Sequence, residues 1–161
     1  LAQVPQESYL FPGTVADNIA YGASGATDDE VQAAVERIGA LGVIGTIPGG
    51  FNARVGERGR GLSSGQRQII ALARAEMLTP AVLLLDEATA TLDPATERAV
   101  LDASDKAMAG RTSVVVAHRL ATAARADRIL VIDEGRIIED GCHEDLISAG
   151  GRYAHMWAVN R

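Results

Sequence analysis

The sequence predicts an α/β domain built on a largely parallel sheet. Three observations carry that expectation. An unbroken apolar run, Ala81 to Leu85, ends in the acid pair Asp86 and Glu87; a second run, Ser113 to Val116, reads SVVV; and the segments around them show helical spacing of apolar residues. Short apolar runs bounded by turn residues read as strands buried on both faces, as in sheets covered by helices. Strands alternating with helices then give the class. Ligands of such sheets sit at the carboxyl ends of the strands, where Asp86 and Glu87 fall. Two readings of the pair are open at this point: a site that holds a metal ion and activates a water, or two acids opening a loop.

Composition narrows the function classes. The chain has 161 residues, 47% of them hydrophobic, enough for one ordinary domain with a real core. Aromatics are only 4%, so the core is expected to be aliphatic. The net charge of −6, with no dense basic run, disfavours electrostatic binding to nucleic acid or anionic lipid. The single Cys142 excludes a disulfide within the chain and suits a reducing compartment. No apolar stretch approaches the roughly 20 residues of a bilayer span, and no signal peptide is read, so the segment itself is expected to be soluble. The only lysine is Lys106, and no G-x-x-x-x-G-K-[ST] phosphate loop is present. Starting at Leu1, inside an expected strand, the chain reads as a fragment.

In order, residues 1–5 (LAQVP) form a short strand that leads into Gln6. Thr14 opens a short helix with Val15, Ile19 and Ala20 on one face and Asp17 in its first turn. After a break at Gly22, Ser24 and Gly25, Thr27 and Glu30 make a capping box ahead of Val31, Ala34, Val35 and Ile38 at helical spacing. A brief apolar stretch follows and stops at Pro48-Gly49-Gly50. Residues 51–62, FNARVGERGRGL, are read as a loop. Its Arg54, Arg58 and Arg60 suggest a phosphate or nucleic-acid patch, but Glu57 among them and the lack of interleaved aromatics favour a solvated or protein-contacting loop.

Ser63 and Gln66 form another capping-box pattern, before a helix whose Ile69, Ile70, Leu72, Ala73 and Leu78 make a broad apolar stripe. Its first residues, Ser63, Ser64 and Gly65, aim free N–H groups and hydroxyls forward, which suits an anion. An ordinary capped helix is the alternative. Beyond the central strand, Asp93-Pro94 starts a helix running to about Met108 and stopping at Gly110. His118 stands just past the SVVV strand, either structural or chemical. A short helix over 120–126, a strand over 129–133, a turn at Glu134-Gly135 and a strand over 136–139 follow, the last two strands as a hairpin. Helices over 143–149 and 153–159 close the chain.

The ordered set Gln6, LSSGQ at 62–66, LLLDEAT at 83–89, LD at 92–93 and AHR at 117–119 resembles the nucleotide-binding domain of an ATP-binding-cassette transporter. VPQESYLFPGTVADNI at 4–19, VGERG at 55–59 and GGRYAHMW at 150–157 are most similar to its exporter branch. The resemblance implies a P-loop NTPase (RecA-like) fold, incomplete at its N-terminal side. A helical subdomain would cover about 10–79, and 1–9 with 80–161 would form the RecA-like core. It further implies that Asp86 ends the Walker B strand and holds Mg²⁺, and that Glu87 is the catalytic glutamate that orients or deprotonates water. Gln6, in the Q-loop, would reach metal and water, and His118 would hydrogen-bond the γ-phosphate of ATP. Ser63, Ser64, Gly65 and Gln66 are the signature, clasping ATP on a second nucleotide-binding domain, identical or different, and Asp93 belongs to the D-loop. Transmembrane domains are the other implied partners, which places the domain at the cytoplasmic face of a membrane, and no nucleic acid is expected.

Some positions depart from the family pattern. Ser64 stands for a usual glycine and is expected to weaken, not remove, the contact; Ala90 replaces a usual serine; Ile69 replaces a frequent arginine and is expected to alter packing. The phosphate loop, its lysine and the adenine-stacking aromatic precede Gln6 in the family and are not in this sequence. The 161-residue chain alone is therefore expected neither to bind ATP tightly nor to hydrolyse it. In the family a strand lies where this chain has none, so an exposed apolar edge is expected, relieved by dimerisation, strand exchange or a partner. Two further classes stay open: a non-transport ATPase of the same superfamily acting on DNA, which the acidic balance disfavours, and a catalytically silent interaction module.

Overall fold

The structure is a computed structural model and describes residues 1–6, 8–86 and 92–160. The chain divides into two compact units, Leu1–Val116 and Ala117–Arg161. Each has its own apolar core.

In the first unit three strands, β1 (Ala2–Val4), β4 (Val82–Asp86) and β5 (Thr112–Val116), form a parallel sheet in the order β1-β4-β5. Parallel neighbours need crossover connections, and here helices supply them. Val4 lies opposite Leu85, and Asp86 opposite Val116, so the three carboxyl ends share one edge. A second, two-stranded antiparallel pair joins β2 (Gly13–Thr14) to β3 (Arg54–Val55). The loop expected over 51–62 therefore contains a strand, flanked by short 3₁₀ turns. A two-residue strand has no periodicity to read.

Local chemistry starts most helices of this unit. Helix α1 (Val15–Ile19), α2 (Asp28–Arg37) and α4 (Ser64–Met77) each open on a complete capping box, from Thr14 and Asp17, Thr27 and Glu30, and Ser63 and Gln66. The carboxyls of Asp17 and Glu30 are held below their usual range, chiefly by the backbone N–H of Thr14 and of Thr27. Helix α3 (Leu41–Gly45) has no side-chain cap and coincides with the brief apolar stretch, a helix the spacing did not announce. Helix α5 (Pro94–Met108) starts on Asp93.

Helix α4 is the hub. Ile69, Ile70 and Leu72 have no exposed surface, each worth about 1.5–3 kcal/mol relative to exposure. Ile69, the departure from the family's arginine, is thus a core residue. Farther along, the nearly buried Glu76 accepts from Arg37 Nε at 2.7 Å and Arg111 Nη2 at 2.9 Å, joining α2 and the start of β5 to α4. The outer strand β5 is not buried on both faces as SVVV suggested: Val114 is 51% and Val116 56% exposed. Among the described residues β5 pairs on one side only.

In the second unit α6 (Leu120–Ala123) ends three residues short of the expected helix. Strands β6 (Ile129–Asp133) and β7 (Arg136–Gly141) form the expected hairpin, longer at its end and bulged between Val131 and Ile132. Arg128 holds Asp140 through two hydrogen bonds and lowers its carboxyl pKa. Helices α7 (His143–Ala149) and α8 (Arg152–Val159) pack Leu146 and Tyr153 against Ile129 and Val131. Glu139 caps α8 by accepting from the N–H groups of Arg152 and Tyr153.

Candidate functional site

The first cluster lies at the carboxyl edge of the parallel sheet. Asp86 is the last residue of β4, the middle strand, and is half-buried. Gln6 follows β1 by two residues and is exposed. With Val4 opposite Leu85, the register carries Gln6 to the same edge as Asp86. Ser8 Oγ donates to Pro5 O at 3.2 Å, beside the bend at Gln6. Glu87 lies outside the described residues, as does Ala90. His118 is exposed, two residues past β5 in sequence, and belongs to the second unit.

Asp86 and Gln6 offer a carboxylate and an amide oxygen, the hard donors Mg²⁺ prefers. Among the described residues no three His, Cys, Asp or Glu side chains gather to hold a metal.

The second cluster is the start of α4. Ser63 Oγ accepts from Gln66 N at 3.2 Å, and Ser63 N donates to Gln66 Oε1 at 2.9 Å. The first intrahelical bond is Arg67 N to Ser63 O at 3.0 Å. The N–H groups of Ser64 and Gly65 precede it, and helix geometry gives them no intrahelical acceptor. They are therefore available to an anion, favoured there by the helix dipole. Ser64, the first residue of α4, is half-buried.

Three supports fix that end. Gln66 Nε2 donates to Thr46 Oγ1 at 3.2 Å, and Arg67 Nη1 to Leu62 O at 2.7 Å. Gly65 is buried against the start of α5: a Cβ there would lie 2.0 Å from Thr96 Cγ2 and 3.6 Å from Leu92 Cδ2. Asp93 caps that same helix by accepting from Ala95 N and Thr96 N, both at 3.1 Å. Thr96, through its side chain and then its N–H, holds the exposed Asp93 carboxyl below its usual range. The structure thus brings Ser63–Gln66 and Asp93 together through Gly65 and Thr96. Thr46 and Thr96 were not read as site residues, and nothing in their spacing marks them; Leu92 entered only as the first letter of the LD motif.

Residues 1–90 match the family model described as "ABC transporter". The chain is 49% identical over 160 residues to a multidrug efflux ATP-binding/permease protein of Mycobacterium bovis, covering 99% of this chain and 13% of that protein. It is 49% identical over 158 residues to human ATP-binding cassette sub-family B member 6, covering 98% of this chain and 19% of that protein. The solved structure of a bacterial Atm1-family ABC exporter with ATP bound superposes with a TM-score of 0.87 at 45% identity, over 99% of this chain and 28% of that one. The chain thus spans under a fifth of the length of these curated relatives. The α/β class and the P-loop NTPase type of fold agree with this likeness. The chain belongs to the ABC transporter family, as part of a nucleotide-binding domain of the exporter type.

Proposed function

We propose that this chain supplies part of an ATP-hydrolysing domain that drives export across a membrane. The observation that carries the reading is the register of the parallel sheet, which brings Gln6 and Asp86 to one edge immediately ahead of Glu87. Asp86 and Gln6 hold Mg²⁺, which when bound neutralises charge on the phosphates. Glu87 accepts the proton of the attacking water or orients it, and Gln6 helps to place that water. His118 donates to the γ-phosphate. Residues 63–66 present hydroxyls and N–H groups to ATP held on a second nucleotide-binding domain, and Asp93 stands beside them at the dimer face. Residues 10–79 act as the helical subdomain; 1–9 and 80–161 belong to the RecA-like core.

Transmembrane domains are the remaining partners, with this part at the cytoplasmic face. Among the described residues no helix is long and apolar enough to cross a membrane. This segment by itself holds no phosphate loop and is inactive. Purified full-length protein in lipid vesicles tests the reading. Glu87→Gln is expected to lower ATP turnover about 10²-fold or more while ATP still binds, the range for loss of a general base. Turnover unchanged by Glu87→Gln refutes the assignment. Turnover by the 161-residue chain alone, abolished by the same substitution, refutes its inactivity.

A further inference from the structure

Arg74, on the last turns of α4, is a half-buried cation whose hydrogen-bond partners among the described residues are all neutral. Its Nε donates to Asn18 O at 2.8 Å, Nη1 to Tyr9 O at 3.1 Å and Nη2 to Asn18 Oδ1 at 3.2 Å. The guanidinium carbon lies 5.3 Å from the centre of the Tyr21 ring and 5.8 Å from that of Phe11, and these two rings stack on each other. Burial depresses the Arg74 pKa, and the two aromatic faces help to hold its charge. Asn18 is almost fully buried and completes the joint: Oδ1 also accepts from Phe11 N, and Nδ2 donates to Phe11 O and Thr14 O. One guanidinium thus ties the helix that begins at residues 63–66 to the segment that leaves Gln6.

We propose that Arg74 is a positioning residue that holds Gln6 in register with the Ser63–Gln66 motif. The proposal rests on the ATP-hydrolysis reading above and deepens it. A planar fork of five N–H donors meets two carbonyls and one amide oxygen while stacking on rings; an ammonium cannot do both. The motif itself is held by its capping box, Thr46 and Thr96, independently of Arg74. Loss of the fork therefore loosens Gln6 and leaves nucleotide contacts at 63–66 intact.

The test is ATP turnover by the full-length protein carrying Arg74→Lys, with hydrogen exchange on the 161-residue chain. Misplacing a group that positions the reacting water is expected to lower kcat about tenfold or more, with KM for ATP changed less than about twofold. Amides of residues 9–18 are expected to exchange about tenfold faster, while those of 69–73 and 82–86 keep their protection. Should Arg74→Lys fail to fold, Tyr21→Leu removes one exposed ring face and is expected to lower kcat about two- to fivefold in the same pattern. A kcat within twofold of the parent in whichever variant folds overturns the proposal, as does a rise in KM with kcat unchanged. If turnover is also indifferent to Glu87→Gln, the underlying reading has failed instead, and the exchange data still report whether the joint exists.

Discussion

Replacing Gly65 by Ala probes the junction between the start of α4 and the start of α5. The new Cβ would lie 2.0 Å from Thr96 Cγ2, some 1.5 Å inside the separation of about 3.5 Å at which carbons attract. Thr96 cannot simply swing away, because a β-branched side chain in a helix has few rotamers, and its hydroxyl is engaged with Asp93. Overpacking of this kind costs about 1–3 kcal/mol. Against it stands a gain of about 0.4–1 kcal/mol from the narrower unfolded ensemble of Ala, since Gly65 has no left-handed φ. The net expectation is a loss of about 0.5–2 kcal/mol. Thr96→Ser removes the offending methyl and keeps the hydroxyl. In that background Gly65→Ala is expected to be neutral or mildly stabilising, giving a coupling of about 1–3 kcal/mol. Urea midpoints of the four proteins measure it. Equal costs of Gly65→Ala in both backgrounds refute the packing argument.

Three further outcomes follow from the same geometry. Glu76→Ala leaves Arg111, half-buried with its side chain 17% exposed and its Nη1 without a partner among the described residues, uncompensated; the expected loss is about 3–5 kcal/mol. Arg37→Met, at a side chain 49% exposed, is expected to cost only about 0–1 kcal/mol, and urea unfolding of both compares them. Asp17, Glu30, Asp93 and Asp140 all have folded pKa values below the ordinary ones. Their contribution is therefore present above the unfolded carboxylate range and lost as pH falls through the folded values. Urea midpoints taken between neutral and acid pH should fall, and less steeply in Asp93→Asn, which still caps but does not titrate. Finally, exposed Val114 and Val116 on the outer strand should make the 161-residue chain self-associate. Val114→Lys with Val116→Lys should weaken that in sedimentation velocity, and a concentration-independent parent monomer would count against the exposed edge as a driving force.

Much of the candidate site was legible because it is local. The acid at the end of an apolar run and the motif at a helix start are both short patterns, and Asp86 ends β4 and residues 63–66 open α4 as those patterns expect. Val114 and Val116 were misjudged for the opposite reason. Burial of a strand depends on which neighbours it acquires, and three apolar residues in a row do not state that.

The α/β class, the central strand, the hairpin and the starts of α1, α2, α4 and α5 were legible in short stretches of sequence. Capping boxes and an Asp-Pro start act over three residues, and hydrophobic periodicity over one or two turns, so both are written in adjacent letters. What those pieces hold was set by long-range packing. Arg74 reaches partners 56 and 65 residues away, and Glu76 binds arginines 39 and 35 residues away. Gly65 is small because Thr96 lies against it. These contacts depend on how α4 settles into the core, a packing outcome that no short window of sequence contains.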